Sequence, residues 1–255
     1  MAISKVDSLP ADATAIVSDP CEEARKRLII AVDVPSAKVA VELVSRLEGT
    51  CPWLKVGLEL FTAAGPAIVE QLAARGHSIF LDLKFHDIPN TVAGAVRSAA
   101  GLGVRMMTLH AQGGPAMLAA ARNEVEKLAD PPELLAVTVL TSMDGEQLNA
   151  VGVAASPAAT VERLAKLALE TGIRGFVCSP QEAAALRALT GADGVLVVPG
   201  IRPAGAAVGD QRRVATPAET LRQGASFLVV GRPITQAAHP AEAARQILEQ
   251  MAVAL

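Results

Sequence analysis

SIFLDLK, residues 78–84, is the stretch on which the fold turns. It is short, apolar and leads directly toward a segment of helical period over 90–102, so it reads as a strand feeding a helix. In an extended chain, residues two apart share a face, which sets Phe80, Asp82 and Lys84 on one side and Leu81 and Leu83 on the other. The leucines suit packing against outer helices, and Asp82 and Lys84 are then directed inward at the strand's C-terminal end. Working outward, the same unit recurs. LIIAV (28–32), WLKVG (53–57), VRMMTLH (104–110), LLAVTVL (134–140), GFVCS (175–179), GVLVVPG (194–200) and FLVVG (227–231) read as strands. Segments 36–48, 64–75, 115–129, 157–171, 180–190, 217–223 and 240–253 have the apolar spacing of amphipathic helices.

Strand then helix, repeated eight times in 255 residues, is the pattern of a TIM (β/α)8 barrel forming one domain over residues 27–255. Residues 1–26 show no sustained periodicity and read as an N-terminal extension. A doubly wound open sheet shares the alternation. No Gly-x-Gly-x-x-Gly follows the first strand, however, and no Gly-x-x-x-x-Gly-Lys occurs, which weakens the nucleotide-cofactor forms of that fold.

Composition narrows the function classes. Hydrophobic residues make up 51% and charged residues 19%, enough apolar material for a large core. A net charge of −3, one Trp and no Tyr give neither the basic surface nor the stacking rings that nucleic acid calls for. No apolar run approaches the roughly 18 residues of a membrane helix, and the N-terminus has no basic stretch followed by an apolar one, so a cytoplasmic setting is expected. Cys21, Cys51 and Cys178 form no Cys-x-x-Cys pair, and His77, His86, His110 and His239 form no metal-spacing pair. No metal is expected.

The charges at the strand ends carry the chemistry. Strand one runs into Asp33, strand two carries Lys55, and strand three ends in Asp82 and Lys84, all aimed at the mouth where barrel enzymes work. Burying any one of these unpaired would cost several kcal/mol, so they must neutralise one another. A structural ion network is the bland alternative, although helix surfaces would have carried the same charges at no cost. Asp87 precedes Ile88-Pro89-Asn90-Thr91 and on local grounds could simply cap the next helix. PGIRP (199–203) and GRPIT (231–235) follow strands seven and eight, each combining Gly, Arg and Pro. Barrels often hold a phosphate in these two loops, with guanidinium and backbone donors.

Together these segments resemble the orotidine 5′-phosphate decarboxylase family of the bacterial type, from about Arg27 to Met251. The signature is DLKFHDIPNT (82–91), accompanied in order by AVD (31–33), KVG (55–57), LTS (140–142), PGIR (199–202), GDQRR (209–213) and GRP (231–233). The resemblance implies cofactor-free decarboxylation of orotidine 5′-phosphate to UMP, with Lys84 as proton donor to a C6 carbanion and Asp82 beside the departing carboxylate. It implies that Lys55 and Asp87 complete an alternating catalytic network of charges, in a homodimer in which Asp87, Ile88 and Thr91 reach the partner's site. Asp33 and Lys55 would bind the ribose. Thr141, helped by Ser142, would meet the pyrimidine, Pro199 would line the substrate site, and Arg202, Gln211, Gly231 and Arg232 would hold the phosphate under a closing loop at 203–212. A magnesium-dependent sugar-phosphate decarboxylase of the same superfamily shares the Asp-x-Lys-x-x-Asp core, but Lys55 stands where those relatives resemble one another in carrying an acidic residue. A non-catalytic nucleotide-binding barrel would share the fold without needing the buried charges.

Overall fold

The structure is a computed structural model, and it describes residues 19–203 and 215–255. Eight strands close into one parallel barrel in sequence order. They are β1 (Leu28–Ala31), β2 (Trp53–Gly57), β3 (Ser78–Phe85), β4 (Met106–His110), β5 (Glu133–Val137), β6 (Gly175–Val177), β7 (Val195–Val198) and β8 (Phe227–Val230). Each begins and ends within a few residues of the sequence reading. Parallel strands covered on both faces read as near-continuous apolar runs, which LIIA, VLVV and FLVV are.

Alternation along the strands builds two cores. Ile29, Ala31, Phe80, Met106, Leu135, Val197 and Val229 fill the barrel interior. Leu28, Ile30, Leu54, Val56, Ile79, Leu81, Met107, Phe176, Leu196 and Val230 face outward into the layer beneath the helices. Pro20, Pro66, Pro89, Pro157, Pro180, Pro217 and Pro240 each open a helix, where a missing N–H costs nothing and the fixed φ is already helical.

The helices depart from the sequence reading in four places. Residues 20–26, assigned to the extension, form with Arg27 an α-helix capped by the Asp19 carboxylate on the Cys21 amide; it packs on the last helix, Pro240–Ala252, and buries Ala24 completely. The segment 64–75 is helix Pro66–Ala73, and an unexpected helix, Leu58–Ala64, precedes it, the two separated at Gly65, whose φ of 66° permits the break. Two short helices, Gly145–Ala150 and Arg232–Thr235, were too brief to show a period. Among the described residues no helix is long and apolar enough to cross a membrane.

Candidate active site

At the C-terminal ends of the strands lies a cavity of about 820 Å³. Its floor is apolar, formed by Ala31, Val137, Val177 and Val229, and its rim is charged. Asp33, Lys55, Asp82 and Lys84 line one side of it, as the strand parity requires. They form one chain of alternating charge. The Lys55 ammonium donates to Asp33 Oδ1 at 2.8 Å and lies 3.6 Å from Asp82 Oδ2, while Lys84 Nζ donates to Asp82 Oδ1 at 2.7 Å. Burial alone would push the Asp82 carboxyl upward. The charges of Lys55 and Lys84, with hydrogen bonds from Lys84 and Thr108, outweigh it and hold Asp82 below the usual carboxylate range. Lys55 is nearly buried, whereas Lys84 and Asp33 keep part of their surface open to the cavity.

Lys84 reaches this place by an unusual backbone. The β3–β4 register passes from Leu81↔Met107 to Phe85↔Leu109, so four steps on β3 answer two on β4. Lys84 sits in the irregularity with φ of 52°, a left-handed conformation uncommon for a residue with a side chain. Its amide donates to the Thr108 hydroxyl at 2.8 Å. His110, at the end of β4, stacks obliquely on His86 with ring centroids 5.3 Å apart. Burial, His86 and Lys84 push its imidazole below the ordinary histidine range, with Asp82 acting weakly the other way.

Also lining the cavity are Thr141, Pro199 and Arg202, with Gly231 and Arg232 at the end of β8 next to β1. Arg202 is buried, its guanidinium donating to the Ile201 carbonyl at 2.9 Å, and Arg232 is exposed at the rim. Both loops after β7 and β8 therefore bring an arginine to the same cavity. Ser142 is exposed and does not line it. Asp87, Ile88 and Thr91 are also exposed and lie outside the lining; Asp87 Oδ1 accepts from the Ile88 amide at 2.6 Å, and Ile88 rather than Asp87 is the helix N-cap. Gln211, the GDQRR motif and nearly all of the 203–212 loop lie outside the described residues. Among the described residues no group of three or more His, Cys, Asp or Glu is placed to hold a metal ion.

The sequence reading did not single out Thr108, nor Thr235 and Gln236 beside Arg232, nor the apolar floor. Thr108 shares the inward parity of Met106 and His110, which was the available signal. The floor valines looked like any other core residues.

Comparison with known proteins converges on one family. Residues 26–247 match the family model described as Orotidine 5′-phosphate decarboxylase / HUMPS family. The chain is 52% identical over 224 residues to an orotidine 5′-phosphate decarboxylase of Opitutus terrae, covering 88% of this chain and 97% of that one. It is 53% identical over 223 residues to the enzyme of the same name from Nitrosococcus oceani, covering 88% and 96%. The crystal structure of orotidine 5′-phosphate decarboxylase from Lactobacillus acidophilus superposes with a TM-score of 0.78 at 38% identity, over 89% of this chain and 99% of that one.

Proposed function

The chain belongs to the orotidine 5′-phosphate decarboxylase / HUMPS family, and from that premise we propose that it converts orotidine 5′-phosphate to UMP and CO2, the last step of pyrimidine nucleotide synthesis. The observation that carries this reading is the alternating run Asp33, Lys55, Asp82, Lys84 facing a cavity that Arg202 and Arg232 also line. A phosphorylated anion fits between them. The arginines and the Gly231 backbone take the phosphate, Asp33 and Lys55 the ribose hydroxyls, and Thr141 with Pro199 the pyrimidine edge.

In the chemical step the C6–carboxylate bond breaks, CO2 leaves, and the electron pair stays on C6. That pair lies in the ring plane and cannot delocalise into the π-system, so it is stabilised electrostatically. The Lys84 ammonium supplies the opposing charge and then transfers a proton to C6, giving UMP; solvent reprotonates the amine. A unit charge pair at 4 Å is worth about 4 kcal/mol at an effective dielectric near 20. Enzymes lower barriers by roughly 8–23 kcal/mol, so Lys84 does not act alone. The ionised Asp82 opposes the substrate carboxylate and fixes Lys84, and phosphate and ribose contacts supply binding energy remote from C6. No step draws on a metal or organic cofactor.

Asp87, Ile88 and Thr91 enter through a second copy of the chain. Ile88 is 67% exposed, and all three lie off the lining of their own cavity, which suits residues that complete a neighbour's site in a homodimer.

The test is the loss of orotidine 5′-phosphate absorbance with EDTA present, for the purified chain and its Lys84→Ala variant. The chain is expected to turn over and the variant to fall by about 10⁴-fold or more. A magnesium requirement, or binding of UMP with no turnover by the unmodified chain, would overturn the reading.

A further inference from the structure

Only two described residues other than glycine have positive φ, Glu48 at 51° and Lys84 at 52°. Glu48 lies in a turn between elements, where such a backbone is common. Lys84 lies within β3, so something must hold it there. Thr108, on the adjacent β4, is fully buried, and its Oγ1 is 2.8 Å from the Lys84 amide and 3.0 Å from Asp82 Oδ1. An amide can only donate, and an ionised carboxylate can only accept. The hydroxyl therefore takes the amide proton and sends its own to Asp82, with no freedom to reverse. Asp82 Oδ1 in turn accepts from Lys84 Nζ at 2.7 Å, which closes a ring through both ends of the lysine. Other buried threonines make no such link: Thr220 bonds the Thr216 carbonyl of its own helix, and the hydroxyls of Thr138 and Thr160 have no partner among the described residues.

We propose that Thr108 is the positioning residue of the decarboxylation site, its hydroxyl latching the left-handed backbone of Lys84 to the Asp82 carboxylate so that the ammonium is aimed into the cavity. The proposal deepens the decarboxylase reading and rests on it for the identity of the step that is positioned. It assigns Thr108 no contact with substrate. Its effect belongs in kcat, because substrate is held mainly by Asp33, Lys55, Arg202 and Arg232, which Thr108 does not touch.

The decisive comparison is Thr108→Val, which keeps the shape and removes both hydrogen bonds, with Thr108→Ser, which restores them. The Val variant is expected to lose about ten- to hundred-fold in kcat with KM for orotidine 5′-phosphate within about threefold of the parent, and Ser to recover most of the loss. Hydrogen exchange at the Lys84 amide should be protected in the parent and Ser proteins and unprotected in Val. Should Val fail to fold, Thr108→Ala carries the same expectations. A Val variant with parental kcat, a Ser variant as impaired as Val, or a loss confined to KM would overturn the proposal. If the parent protein proves inert toward orotidine 5′-phosphate, the decarboxylase reading falls, and the exchange data alone decide the latch: unaltered Lys84 protection in the Val variant sinks it.

Discussion

The two ends of the barrel use charge in opposite ways. At the N-terminal end, Arg187 sits in the last turn of helix Pro180–Thr190 and spends its guanidinium on carbonyls of Gly191, Gly194 and Gly224 at 2.6–3.0 Å and on the Ser226 hydroxyl at 2.9 Å. It stitches the loops that lead into β7 and β8. Trp53 and Phe227 close the floor nearby with ring centroids 5.3 Å apart, edge to face. At the C-terminal end Lys84 and Asp33 also have partners, yet they keep surface open to a cavity and one of them stands on a left-handed backbone. Polar groups saturated from within contribute stability. Polar groups held half-satisfied, at a cost in backbone strain, are available to a ligand.

The widest separation between the ends should come from Asp82→Asn and Arg187→Met. Neutralising Asp82 removes the partner of both lysines at the proposed site of chemistry, and kcat should fall by about 10³-fold, equivalent to about 4 kcal/mol. Full kcat in that variant would remove Asp82 from the mechanism. Its stability should carry a pH signature. The folded carboxyl lies below its ordinary value of 3.8, so its stabilisation is present above pH 3.8 and lost as pH falls through the folded value. Melting temperatures of parent and Asn variant should differ at neutral pH and converge in acid. Arg187→Met should do the reverse, costing about 3 kcal/mol, roughly 6–12 °C in Tm for a chain of this size, with kcat per folded molecule unchanged. Loss of activity without loss of Tm in the Met variant would break the division between the ends.

How far the sequence discloses this division depends on what each end is made of. β3 was legible because Leu81 and Leu83 alternate with Asp82 and Lys84, and the parity survives in the fold. The register slip and the positive φ at Lys84 were not, since no local residue marks them: they arise where β3 meets β4, and Thr108 looks in isolation like one polar residue among methionines. Arg187 was equally silent, because its partners are loop carbonyls and one serine hydroxyl, Gly191 and Gly194 near it in sequence and Gly224 and Ser226 far from it, and none of them forms a pattern. Helix Pro20–Arg27 carried an Asp-Pro start but only one buried residue, Ala24, too little for a period. The arginines after β7 and β8 were legible because the fold itself nominates those loops. Ser142, by contrast, adjoins Thr141 in sequence while only Thr141 lines the cavity, since residue order does not fix which side chain a loop turns inward.

Two glycines sharpen the contrast with a smaller effect. Gly57, at the end of β2, has φ of −98°, which any residue adopts, so its smallness serves space and not conformation. A Cβ there would lie 2.7 Å from Asp33 Oδ1 and 2.8 Å from Lys55 Nζ. Both atoms end side chains that can swing toward the cavity, so Gly57→Ala should fold with little change in Tm and shift the pair proposed to hold the ribose. The expected outcome is a loss of about tenfold in kcat/KM, carried mainly by KM, or about 1.4 kcal/mol of binding. A Cβ on Gly175, which opens β6 at the other end, would lie 2.5 Å from the Leu134 carbonyl, and a ladder carbonyl cannot swing aside. Gly175→Ala should therefore lower Tm while leaving the KM of the folded fraction alone. If Gly57→Ala instead melted early with an unchanged KM, the Asp33–Lys55 pair would belong with Arg187, as a group that holds the barrel together and leaves the ribose to others.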